Sequence, residues 1–135
     1  MELIYDRTKE DVILGTPKGN YGWEDLNRVE KTVQFLTQEL QRLDIHLNLQ
    51  TKTDWALPGE DWPTSTQMQR YLGNVKSVLA ALQLIKPLPQ SMENLDYQGA
   101  NQIEYALAAA LRRMEAICRT FQFSGECIAG EENRI

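Results

Sequence analysis

His46 is the sole histidine of the chain, and Cys118 and Cys127 are its only cysteines. A protein zinc site gathers three or four His, Cys or carboxylate ligands, and these cysteines form no Cys-x-x-Cys pair to start one. A cysteine nucleophile would need His46 beside it as base and a third group to orient the ring. Cys118 instead falls on the expected inward face of a helix, where cysteine behaves as a small hydrophobe. Carboxylates occur as the neighbours Glu10–Asp11, Glu24–Asp25, Glu60–Asp61 and Glu131–Glu132. Adjacent helical residues point to different sides, so these are not preassembled acid–base couples, and capping and solvation account for them. Lys18 stands in a glycine-rich stretch at 15–22, but it precedes Gly19 and follows no strand, which departs from a phosphate-binding loop. Catalysis, a metal and a cofactor are therefore all unexpected.

Aromatic side chains offer a different chemistry. Trp55 and Trp62 bracket Leu57-Pro58-Gly59-Glu60-Asp61, and Tyr21 and Trp23 flank the end of the glycine-rich loop. Exposed indole and phenol rings beside acids can grip a protein partner or stack on a sugar. Tryptophans buried to anchor a long loop are the commoner use of the same pattern. Tyr21, Trp23, Trp55 and Trp62 are the candidate partner-binding residues, expected on exposed loops.

The elements that must position these rings follow from periodicity. Leu26, Val29, Val33, Leu36, Leu40 and Leu43 alternate in steps of three and four, which stacks them on one face of a long helix. Asn27, Glu30, Lys31, Gln38 and Gln41 are expected on its other faces. Trp23 stands as a staple residue before this helix, and Glu24 and Asp25 suit the positive end of its dipole. A second helix opens on the capping box Thr64/Gln67 and runs through Met68, Leu72, Val75, Leu79 and Leu82 toward Pro87 and Pro89. Its interior Gly73 implies a close approach to another backbone, or a kink. A third helix begins near Asp96 or Tyr97 and buries Ile103, Leu107, Leu111, Met114, Ile117 or Cys118, and Phe121. A short helix is expected after Thr8, with Glu10 and Asp11 in its first turn and Gly15 and Pro17 ending it. The alternation Ile45-His46-Leu47-Asn48-Leu49 has the period of a half-buried strand, and 121–128 alternates weakly enough to pair with it.

The expected fold is thus mainly α: one domain over 1–135 with three long helices bundled together, a short N-terminal helix and a minor antiparallel β element. The tail from about 130 is expected to fray. The stripe at 26–43 serves either a coiled coil between subunits or the domain's own core, and the two other helices that need its face favour the core. With 135 residues, 42% hydrophobic and 24% charged, the chain is long and apolar enough to fold without staples. A net charge of -5 disfavours binding to nucleic acid. No run approaches the roughly 20 apolar residues of a membrane span, and the N-terminus lacks the pattern of a signal peptide, so synthesis in the cytoplasm is expected.

A series of short stretches resembles a domain of phage and prophage tail-associated structural proteins from Gram-positive bacteria. They are Tyr5-Asp6-Arg7-Thr8 with Asp11-Val12, Tyr21 onward through Asp25 to Glu30, Lys52-Thr53-Asp54-Trp55, and Pro63-Thr64 with Gln67 to Val75. Pro87-Leu88-Pro89, Ser91-Met92, Asn101 through Glu104 and Phe123 to Glu126 complete the order. The resemblance implies a non-enzymatic structural or assembly role, incorporation in a virion, and contacts with other phage structural proteins or with itself as a homo-oligomer. It transfers no catalytic residue. Gly99 departs from the acidic residue expected there, which leaves the cap of the last helix open. A carbohydrate-binding or helical adaptor module using the Trp55–Trp62 loop is the alternative.

Overall fold

The computed structural model describes residues 2–56 and 63–120. It is mainly helical: α1 at Lys9–Leu14, α2 at Trp23–Arg42, α3 at Ser65–Ala81 and α4 at Tyr97–Thr120, with a 3-10 turn at Pro17–Gly19. Each start has a local cause. Thr8 and Asp11 exchange side-chain and backbone hydrogen bonds in a capping box, as do Thr64 and Gln67. The Asp25 carboxylate accepts from the Gly22 N–H at 2.8 Å at the start of α2. The cap of α4 is Asp96, whose side chain accepts from the Gly99 N–H at 2.7 Å. The acid missing at 99 is thus replaced by one at the N-cap itself.

Two of the long helices end without glycine. Asp44 and Gln83 take φ of 65° and 56°. The amides of Ile45 and Leu84 then reach back to Leu40 and Leu79, each at 2.9 Å, closing the helices as Schellman motifs. α3 therefore stops at Ala81, well before Pro87 and Pro89.

The core joins the three long helices through Val29, Val33, Leu36 and Leu40 of α2, Tyr71, Val75, Val78 and Leu79 of α3, and Ile103, Leu107, Ala110, Met114 and Cys118 of α4. The α2 stripe is consumed inside the domain. Arg28 of α2 meets Glu104 early in α4, Arg70 of α3 meets Glu30 early in α2, and Arg113 of α4 donates to the Leu82 carbonyl at the end of α3. All three helices therefore run in the same direction. A helix of 20 residues spans about 30 Å, so each connection must return that distance before the next can start.

That constraint explains residues 45–54, which are extended but pair with no strand. Nine or ten extended residues cover about 30 Å, enough for one return crossing. The backbone groups of this crossing bond to side chains instead of a ladder: the Gln50 carbonyl accepts from Arg70 Nη1 and Asn74 Nδ2, and the Lys52 N–H donates to Glu30. Among the described residues there is no strand, and the expected β element is not borne out on its 45–53 side. Its other half, 121–128, lies outside the described residues, as do Trp62 and the tail from about 130.

The glycines also separate. An added Cβ at Gly73 meets nothing within 4 Å, so of the two reasons expected for this glycine the close approach of another backbone does not apply. An added Cβ at Gly19 would lie 2.4 Å from the Asp11 carbonyl oxygen, which is how the 3-10 turn sits against α1. Gly73→Ala is expected to raise stability by about 0.5–1 kcal/mol through helix propensity. Gly19→Ala is expected to lower it by about 1–3 kcal/mol through overpacking. Urea denaturation of the two variants measures both, and equal effects would contradict this packing.

Candidate functional site

The side chains with the most chemical capacity are gathered into two buried clasps on opposite flanks of α2. Arg7, in the segment ahead of α1, is 4% exposed. Its Nε donates to the Lys18 carbonyl at 2.8 Å and its Nη1 to the Ile4 carbonyl at 2.7 Å. Its Nη2 donates to Asp25 Oδ1 at 3.0 Å and to Glu104 Oε2 at 2.5 Å. Asn101 of α4 clips the backbone of Arg7 from both sides, accepting from its N–H at 3.1 Å and donating to its carbonyl at 2.9 Å. Glu104, itself fully buried, also accepts from Arg28 Nε at 2.7 Å and from the Ile4 N–H at 2.9 Å. Arg28 further bonds Asp25. Two guanidinium groups thus face two carboxylates, and the cluster is neutral within itself.

The second clasp is built on Glu30, 1% exposed. Its Oε1 accepts from the Lys52 N–H at 3.0 Å and Arg70 Nη1 at 2.8 Å. Its Oε2 accepts from Trp55 Nε1 at 2.7 Å and Arg70 Nη2 at 2.9 Å. The bidentate arginine neutralises the charge, and four donors fill the oxygens. Hydrogen bonding to these acids raises both arginines above their ordinary range, Arg28 through Glu104 first and Arg70 through Glu30. Asn27 closes on the backbone of Trp55, accepting from its N–H at 2.8 Å and donating to its carbonyl at 3.3 Å.

These contacts place the expected partner-binding residues. Trp55 is 4% exposed, stacked on Trp23 at 6.0 Å between ring centroids, with its indole N–H held by Glu30. It belongs to the core, so its expected exposure is corrected: a loop that returns past α2 needs a large apolar anchor. Trp23 is half-buried as the first residue of α2 rather than a residue ahead of it. Tyr21 is half-buried, lies under the Arg7 guanidinium at 5.3 Å and has its hydroxyl 2.5 Å from that of Tyr71. Trp62 lies outside the described residues. Tyr21, Trp23 and Trp55 therefore line the inside of one end of the bundle.

Comparison with known protein families, characterised proteins and solved structures gives no match. The geometry is thus the guide to what the site does. Arg7 and Glu30 have their donors and acceptors taken up by protein groups, which leaves these two without the free valence that substrate recognition requires. Their chemistry is spent in binding the N-terminal segment to α2 and α4, and the 45–55 crossing to α2 and α3. His46 is exposed with Nε2 3.0 Å from Asp44 Oδ1, and Cys118 is buried on the inward face of α4.

Reading charged residues as surface residues hides both clasps. Glu30 falls four residues after Leu26 and three before Val33, and Glu104 three before Leu107, so both lie within the apolar stripes. An acid inside a stripe is the signal that a buried cation must come from elsewhere in the chain.

The tyrosine pair gives a pH test. Burial, foremost, raises both hydroxyls, Tyr21 and Tyr71, above the usual tyrosine value of about 10. The unfolded chain then releases these protons at a lower pH than the folded one. Their contribution to stability is fully present below about pH 10 and is lost as the pH rises beyond it. Urea midpoints measured from about pH 9 to 11.5 are expected to fall more steeply for the native chain than for the Tyr21→Phe/Tyr71→Phe variant. Parallel curves would contradict the assignment.

Proposed function

We propose that the chain is a non-catalytic structural or assembly domain of a phage or prophage particle, working through protein–protein contacts with other structural proteins or with copies of itself. The observation that supports it most is the division of labour between inside and outside. The interior is fixed by saturated ion pairs, while α1 holds Val12, Ile13 and Leu14 at 47%, 73% and 68% exposure on a helix with no buried residue. Apolar side chains kept in water on a capped helix favour a partner over a substrate. The setting is what the resemblance of the short stretches to phage structural proteins implies, and Arg7, Asp25, Arg28, Glu30, Trp55, Arg70 and Glu104 all fall within those stretches. No helix among the described residues is long and apolar enough to cross a membrane.

The alternative of a sugar-binding or adaptor module on the Trp55–Trp62 loop loses one of its two rings, because the Trp55 indole is enclosed between Trp23 and Lys52. The experiment is quantitative mass spectrometry of particles purified from a bacterium that encodes the chain. The expected result is co-purification with the particles at a fixed ratio to a tail protein. Recovery only in the particle-free fraction would overturn the proposal.

A further inference from the structure

The socket that holds Arg7 is built on the bundle, and the bundle's own groups keep it built. Arg28 Nε donates to Glu104 Oε1 at 2.7 Å, and its Nη2 donates to Glu104 Oε2 at 2.8 Å and to Asp25. The Gly22 N–H holds the other oxygen of Asp25 at 2.8 Å. Both acids sit beside core residues of their own helices, Leu26 and Val29 of α2, and Ile103 and Leu107 of α4. With Arg7 withdrawn, two carboxylates would face one guanidinium, and the oxygens of Asp25, Asn101 and Glu104 that accept from Arg7 would each lose a donor. The deficit is one positive charge carrying planar donors, which an arginine side chain matches.

The segment that carries Arg7 is tied mainly to itself. Arg7 bonds the Ile4 and Lys18 carbonyls, Thr16 Oγ1 donates to Asp11 Oδ1 at 3.1 Å, and Lys18 Nζ lies 3.4 Å from Asp6 and 3.7 Å from Asp11. Toward the bundle, Arg7 is the one buried residue among 2–20, with Leu3 half-buried against the core. The other attachments are the Asn101 clip on the Arg7 backbone, the Ile4 N–H on Glu104, and the Tyr5 ring edge-on to Tyr105 at 5.5 Å. The apolar burial that fastens the long helices is nearly absent here. One guanidinium does most of the holding.

We infer that the α2–α4 cleft is a guanidinium socket separable from its plug, and that the N-terminal segments of two copies of this chain exchange. Arg7 of each copy then enters between Asp25, Asn101 and Glu104 of the other. The same contacts form within one chain or between two, so concentration sets the balance, as in any exchange of an identical element. Tyr21 stays with its own bundle through the Tyr71 hydroxyl, and the link from Lys18 to Tyr21 spans about 10 Å at most. Exchanging copies therefore meet at the N-terminal ends of α2 across a two-fold axis, each giving one segment and receiving one. Such a pair is closed, because every socket is filled. The exchange names a contact for the assembly reading and rests on that reading for its setting.

Arg7→Gly tests the socket. The urea midpoint of this variant is expected to rise saturably with added methylguanidinium and not with methylammonium, which has the charge without the planar donors. The native chain, its socket filled, is expected to respond alike to both cations. Where Arg7→Gly does not fold by itself, recovery of helicity with methylguanidinium alone is the same result. Equal effects of the two cations on Arg7→Gly would overturn the socket. Cross-linking tests the exchange. Tyr5→Cys and Tyr105→Cys, at exposed positions, are made as separate chains that also carry Cys127→Ser, with Cys118 buried. They are mixed at up to about 1 mM and treated with a short bis-maleimide. The expected product has twice the mass of 15.5 kDa, joins residue 5 of one chain to residue 105 of the other, and is lost when the Tyr5→Cys chain also carries Arg7→Lys. No such link between chains, or one that Arg7→Lys leaves unchanged, would overturn the exchange. None of these outcomes changes whether the chain is found in particles, so the two proposals fail separately.

Discussion

A guanidinium taken out of water must be met by carboxylate and carbonyl oxygens in its own plane, or the burial costs several kcal/mol. Arg7 is met on every donor, and its acceptors come from separate parts of the chain: Ile4 beside it, Lys18 in the 3-10 turn, Asp25 at the start of α2, and Asn101 and Glu104 in α4. One residue thereby fixes how the N-terminal segment crosses the bundle. Asp25 and Glu104 in turn hold Arg28, so the positions of α2 and α4 relative to each other depend on the same charges.

The parallel course of the three long helices raises a second demand that Glu30 answers. Parallel helices leave long return crossings with backbone groups that no ladder satisfies. Here a carboxylate, an arginine and two asparagines on α2 and α3 supply the missing partners, and Trp55 fastens the crossing where it reaches the start of α2. Apolar packing fixes that the helices associate. The polar side chains set their direction and the route of the chain between them. Removing a partner from either clasp would leave a buried charge alone, which is why such residues specify an arrangement even where they add little net stability.

The helices were legible because their determinants are local. The stripe Leu26 to Leu40, the boxes Thr8/Asp11 and Thr64/Gln67, and a start of α4 at Tyr97 all lie within a few residues of what they control. Apart from Asp25 with Arg28, the arginine–acid pairs of the clasps join residues 18 to 97 positions apart, and no local period marks which arginine belongs to which distant acid. The alternation at 45–49 has the period of a strand, yet an extended crossing whose backbone is bonded by side chains has that period too. The helix ends at Asp44 and Gln83 were hidden for a related reason: a left-handed residue that is not glycine carries no signature.

If the charged clasps organise the fold as argued, Arg7 and Glu104 must be strongly coupled. The direct measurement is a double-mutant cycle on folding stability with Arg7→Met, Glu104→Gln and their combination. Each single change is expected to cost about 3–5 kcal/mol, because it strands the partner in the core. The pair is expected to cost at least about 1.5 kcal/mol less than the sum of the singles. Singles that cost under about 0.5 kcal/mol each and simply add would show that these charges sit at the surface of the fold's energetics, and would contradict the account.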